Sequence, residues 1–179
     1  EMLTTTLNKI RAHEPCTDGW KKLLKHLGKT EADDEPLPFR VILDSNGLDD
    51  ALWCCRTTPE YNKEWRLFAV WCARQVQHLM MDNRSLTALD VAERYANGQA
   101  TEAELSAAGD AAWAAAWAAA WAAAWDAARD AAWAAAWAAA EAAAAWAAAA
   151  RAAARAAAGD AARAAQGKKF REMVEEVAE

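Results

Sequence analysis

What this 179-residue chain lacks narrows its possibilities first. Proline and glycine are scarce, at four and seven residues, and neither occurs between Asp110 and Ala158. A long central stretch is thereby stripped of the ordinary turn and breaker signals. No Gly-rich phosphate loop, Gly-x-Ser-x-Gly elbow or His-Glu-x-x-His helix is present, so the familiar sequence marks of phosphate binding, serine hydrolysis and zinc proteolysis are missing. Basic residues are outnumbered, 20 Lys and Arg against 26 Asp and Glu, and the net charge of −6 argues against a general nucleic-acid binder. The longest uncharged tract run, Ala111–Trp125, falls short of the roughly 18 apolar residues a membrane span requires. The opening Glu-Met-Leu-Thr-Thr-Thr shows no basic segment followed by an apolar run, so no secretory leader is expected there.

What is present is alanine and tryptophan. From Gly109 to Gly167 the chain is almost pure alanine, punctuated by Trp113, Trp117, Trp121, Trp125, Trp133, Trp137 and Trp146. Arg129 and Glu141 occupy further slots of the same four-residue rhythm. Alanine has the highest intrinsic helix propensity and is depleted in strands, so the tract is expected to be helical. A spacing of four advances about 400° around an α-helix, so successive tryptophans drift by about 40°. No single flat surface covers them all.

Three arrangements satisfy that drift: right-handed winding against neighbours, a central helix buried on most sides, or a break into shorter helices. A continuous helix from Thr101 to Gln166 would extend about 98 Å, too long for a compact chain of this size. Breaks are expected near Asp126–Asp130, where charge replaces tryptophan, and near Glu141–Trp146, where the spacing stretches to five. Packed helices with indoles wedged between thin alanine faces are the favoured reading. Trp113, Trp117, Trp121, Trp125, Trp133 and Trp137 are accordingly expected in the core. An exposed aromatic ladder is the competing reading.

The remainder also reads as helix. Helices are predicted over Leu3–His13, Trp20–Leu27, Leu48–Arg56, Glu60–Met81, Leu86–Ala96 and Lys168–Val177. In the strongest of these, Tyr61, Trp65, Phe68, Cys72, Val76 and Leu79 recur at spacings of three and four, so Trp65, Phe68 and Cys72 are expected in the core. Phe39–Leu43 is a helical turn or a strand. Asn97-Gly98 ends one helix, and Thr101-Glu102-Ala103-Glu104 is a capping box opening the next. The fold class is all-α: a multi-helix bundle or array in one domain. Within it, N-terminal helices (1–100) pack against a tetrad-repeat region (101–166), followed by a C-terminal helix (167–179).

Candidate chemistry is sparse. His13 and Cys16 have metal-ligand spacing, with Cys72 and His78 as conceivable partners, but zinc sites usually show two tight pairs. No metal or other cofactor is expected. Asp44, Asp49 and Asp50 resemble a carboxylate cluster, yet turn chemistry explains one and a helix start the other two. No catalytic residue is assigned. The cysteines read as reduced thiols of a cytoplasmic protein. Glu31, Asp33, Asp34 and Glu35, with Asp44, Asp49 and Asp50, form the densest acidic region and are the candidate partner-binding residues. Their charge suits a basic protein.

One resemblance emerges along residues 36–101. Pro36-Leu37-Pro38 is followed by Ile42-Leu43-Asp44-Ser45-Asn46-Gly47-Leu48-Asp49-Asp50-Ala51-Leu52-Trp53. Then come Arg66-Leu67-Phe68-Ala69-Val70, Ala73-Arg74-Gln75-Val76-Gln77-His78-Leu79-Met80 and Ala88-Leu89-Asp90-Val91-Ala92-Glu93-Arg94-Tyr95-Ala96-Asn97-Gly98. With the following Ala/Trp repeat, this series resembles the immunity protein family of bacterial polymorphic-toxin systems, whose members are also carried by phages and prophages. The resemblance implies a mostly helical, non-catalytic inhibitor that neutralises a toxin, nuclease or defence effector by binding it. Two alternatives stand beside it: a phage-encoded counter-defence inhibitor of the anti-CRISPR type, and a structural, self-assembling helical protein. Direct contact with nucleic acid or membrane is not expected, and homodimerisation is open.

Overall fold

The computed structural model describes residues 1–121, 126–140, 144–157 and 159–175, with Trp121 and Ala144 described in backbone only. The described chain is all-α apart from one two-residue strand pair. It forms two compact units, Glu1–Glu60 with Gly167–Glu179, and Tyr61–Gln166.

The first unit contains β1 (Thr4–Thr5), α1 (Leu7–Ala12), α2 (Thr17–Leu27), β2 (Leu37–Pro38), α3 (Phe39–Asn46) and α4 (Leu48–Cys54). β1 and β2 are antiparallel, with Thr4 opposite Pro38 and Thr5 opposite Leu37. The register is extended by Phe39 N donating to Leu3 O at 3.1 Å, and Leu3 N donates to Val174 O at 2.9 Å. Thr57 Oγ1 donates its only proton to Cys54 O, so it accepts from Thr5 Oγ1 in their 2.7 Å hydrogen bond. These bonds satisfy polar groups around a core of Leu3, Leu7, Ile10, Leu23, Phe39, Ile42, Phe170 and Val174. Phe39 and Phe170 meet edge to face, ring centres 6.4 Å apart.

Local sequence explains the element ends. Thr6 Oγ1 accepts from Lys9 N and caps α1, and Cys16 Sγ accepts from Gly19 N at the head of α2. Gly28, at φ 65°, closes α2 in a left-handed conformation that other residues rarely adopt. Phe39–Leu43, open between helix and strand from sequence, is helical, and α3 continues to Asn46.

The second unit contains α5 (Asn62–Arg74), α6 (Asn83–Ala96), α7 (Glu102–Trp121), α8 (Asp126–Ala138) and α9 (Ala144–Ala156). The final helix, α10 (Asp160–Glu175), carries residues of both units. Unit boundaries lie at 60/61 and 166/167, not at residue 100, because α5 packs on α9 and α6 on α7. The tract helices and the two preceding helices share one core.

Within that unit α8 touches α5, α6, α7 and α9, and Ala131, Ala132, Ala134, Ala135, Ala136 and Ala138 are all buried. It is the central helix that a near-uniform apolar surface implies. The tract is divided among α7, α8 and α9, with α8 packed on both others. Asp126–Asp130, expected as a break, is the start of α8, and residues 122–125 and 141–143 lie outside the described residues. Buried Arg66 of α5 serves the carbonyl end of α8, donating from Nη1 to Ala138 O at 3.2 Å and Ala140 O at 2.9 Å. A helix C-terminus leaves carbonyls without intrahelical donors and favours a cation, so the arginine answers both demands.

Several predicted boundaries are corrected. Leu3–His13, expected as one helix, is β1 followed by α1. The single helix over Glu60–Met81 is a 3₁₀ turn at Pro59–Tyr61, then α5, then a 3₁₀ turn at Gln77–Leu79. Val76 N there bonds Ala73 O, three residues back, which tightens the last turn. Asn83–Ser85, expected as a break, begins α6 because Asp82 Oδ1 accepts from Arg84 N and caps it. Gly167, expected to precede the last helix, lies inside α10; glycine costs only about 1 kcal/mol in a helix interior.

Candidate partner-binding surface

The candidate acidic residues all belong to the first unit. Past Gly28, Lys29 Nζ bridges Asp33 Oδ2 and Glu35 Oε2, each at 2.5 Å. The Lys29 hydrogen bond holds the Asp33 carboxyl below its ordinary value, and the two carboxylates raise the lysine in turn. Asp33 Oδ1 also accepts from Glu35 N, and Asp33 O accepts from Asn8 N, which fastens the linker against α1. Glu31 and Asp34 are exposed between these anchors.

Asp44 near the end of α3 pairs with Arg171 of α10, whose hydrogen bond lowers the carboxyl's pKa. Asp49 is exposed in the first turn of α4, where a negative charge suits the helix dipole. Asp50, one residue on, is half-buried and accepts from Asn46 Nδ2 at 2.8 Å; the same amide donates to Gly19 O at 2.9 Å. Its carboxylate lies so close to α2 that a Cβ on Gly19 would sit 2.9 Å from Oδ2. Asp50 therefore meets the first turn of α2, whereas Lys29, Asp33 and Glu35 lie beyond its last. An 11-residue helix separates two points by about 16 Å. Asp50 and the carboxylates bridged by Lys29 therefore lie toward opposite ends of α2.

Beside Asp50 a cavity of about 110 Å³ opens among α1, α2, α3 and α4. Buried Leu23 and Ile42 contribute to its lining, together with half-buried Trp20, Trp53, Asn46 and Asp50. Burial first, then the Asp50 charge, pushes the Cys54 thiol on the same cavity up to about 12.

Compared with protein-family models, curated proteins and solved structures, the chain matches none.

The residues expected in the core divide sharply. Trp65 is 1% exposed, and Phe68 and Cys72 are likewise sealed, with burial raising the Cys72 thiol above its ordinary value. Trp113, Trp133 and Trp137 are half-buried. Trp117 departs from the core expectation, at 55% exposed. It meets Trp133 at 5.3 Å, while Trp113, nearer the start of α7, lies between Trp133 at 5.1 Å and Trp137 at 4.6 Å. The 40° drift of a period-four stripe carries successive indoles away from any one neighbour. The Trp121 side chain and Trp125 lie outside the described residues. Trp146, not singled out among the expected core, is 2% exposed.

Among the described residues, no group of three or more His, Cys, Asp or Glu is placed to hold a metal ion, and no helix is long and apolar enough to cross a membrane. Sequence reasoning did not single out the Trp20–Trp53 cavity or the Arg171–Asp44 pair. Asn46 and Asp50, four apart, carried a faint signal for the cavity rim. Nothing in the sequence linked positions 44 and 171.

Proposed function

We propose that this chain is a non-catalytic, protein-binding inhibitor, an immunity-type neutraliser of a basic toxin or effector, acting in the cytoplasm. The carrying observation is the acidity of the first unit. Its residues include fifteen Asp and Glu against eleven Lys and Arg, which leaves −4 of the total −6. Between Thr30 and Asp50 seven acids face a single base, Arg40. Glu31 and Asp34 are exposed, as is Asp49 at the start of α4, and the motif resemblance over residues 36–101 points the same way. Long-range attraction of this kind raises association rate more than affinity.

Affinity capture from host lysate tests the reading, provided the captured protein is then purified and assayed. One basic partner whose activity disappears at a one-to-one ratio supports inhibition. Recovery of the chain alone favours the self-assembling alternative, for which exposed Trp117 is the specific observation. Reversal of Asp33, Asp34 and Glu35 to lysine is expected to slow association and flatten its salt dependence. On-rates unchanged across ionic strength would move the interface elsewhere.

A further inference from the structure

We infer that the cavity beside Asp50 is a receptor for an alkylammonium group, supplied as a lysine side chain of the partner protein. This rests on the inhibitor reading above and names the group its target presents. The cavity has the two-part lining such a side chain requires. Leu23 and Ile42 are apolar and buried, Trp20 and Trp53 are aromatic and half-buried, and Asp50 with Asn46 adds polar groups. No lysine, arginine or histidine lines it among the described residues, so no built-in cation competes for the carboxylate. A carboxylate offers about four acceptor positions, and Asn46 Nδ2 occupies one of them at 2.8 Å.

Size favours lysine. A cavity of about 110 Å³ is somewhat smaller than the ~150 Å³ that admits benzene, and a lysine side chain has one heavy atom fewer than benzene. Its methylenes match the apolar lining while the ammonium stays at the half-exposed carboxylate, the usual division for such side chains. Indole faces attract cations, and Trp53 already demonstrates this with Arg56, whose guanidinium lies 4.4 Å from its ring centre. A compact ammonium suits the remaining space better than a second planar fork.

The test uses the full chain and three probes: N-acetyl-lysine methylamide, n-butylammonium and n-butanol. Indole N–H resonances of Trp20 and Trp53 are followed by NMR during titration. Both ammonium probes are expected to shift these two resonances, with n-butanol binding at least roughly ten-fold more weakly. D50N, checked for folding by circular dichroism, is expected to bring the ammonium probes down to the level of n-butanol. Equal binding of n-butanol and n-butylammonium to the native chain would overturn the proposal without recourse to any variant. So would silence at both indoles. Binding of n-butylammonium without the blocked lysine would replace the partner side chain by a free amine. The titration needs no partner protein, so a failed capture with a positive titration removes the inhibitor reading alone, and the reverse removes the cavity alone.

Discussion

The two units of this chain solve the same packing problem with opposite materials. In the first, a varied set of large side chains, Leu3, Leu7, Ile10, Phe39, Ile42 and Phe170, fills the space between short helices. In the second, α8 and α9 meet largely through alanine, and close backbone approach replaces side-chain bulk. Among the described residues its sealed large aromatics are Trp65 and Phe68 of α5 and Trp146 of α9 itself. A core of large residues adapts to conservative exchange; a seam of alanines does not, because every added methylene must move a helix.

The largest effects are expected where large residues are sealed. Phe39→Ala in the first unit and Trp65→Ala in the second should each cost about 3–5 kcal/mol, read by chemical denaturation. A loss below about 1 kcal/mol for either would show that its pocket collapses or that the residue is exposed in solution.

The next pair addresses the contrast directly. Ala149, wholly buried in α9, should tolerate leucine poorly, at about 1–3 kcal/mol. Leu23→Met, a volume-conserving exchange in the first unit, should cost less than about 1.5 kcal/mol. If Ala149→Leu were neutral, the seam would be looser than alanine contact implies.

A smaller effect depends on pH. The Asp44 carboxyl is held below its ordinary value of 3.8 by Arg171. Its contribution is therefore complete above the unfolded value and is lost as pH falls through the lower folded one. The pair is about half exposed, so the contribution is at most about 1 kcal/mol. Asp44→Asn should separate from the native chain in denaturation midpoint above about pH 5 and converge with it in acid. A constant difference at every pH would assign the effect to something other than ionisation.

The smallest expected effect is at Trp117. Its exposure places Trp117→Ala within about 0.5 kcal/mol of the native chain, and the melting temperature should barely move. A large drop would return this indole to the core. Loss of self-association or of partner binding at unchanged stability would identify it as a contact.

Legibility in the sequence followed the range of the interactions. The Thr101–Glu104 capping box could be read directly, and its reciprocal hydrogen bonds of 2.7 and 3.2 Å depend only on residues three apart. The helical tract was equally plain, because alanine propensity needs no partner. The β1–β2 pair was not, since Thr4–Thr5 carries no strand pattern and its complement lies more than thirty residues away. Gly167 misled for a physical reason: glycine inside a helix is a modest penalty, and neighbouring helix formers outweigh it. For the candidate surface, sequence located the carboxylates but not their cations. Lys29 is local to Asp33 and Glu35, whereas Arg171 reaches Asp44 only through the fold.

The alanine seam between α8 and α9 has a further consequence, for entropy and heat. Burying a leucine or methionine immobilises rotamers, but an alanine has none to lose. The seam therefore orders the backbone at almost no side-chain entropy penalty. It also removes little apolar area per residue from water, and apolar area sets the heat capacity of unfolding. Per residue, the Tyr61–Gln166 unit should show a shallower temperature dependence of stability than the first unit, with less curvature toward the cold.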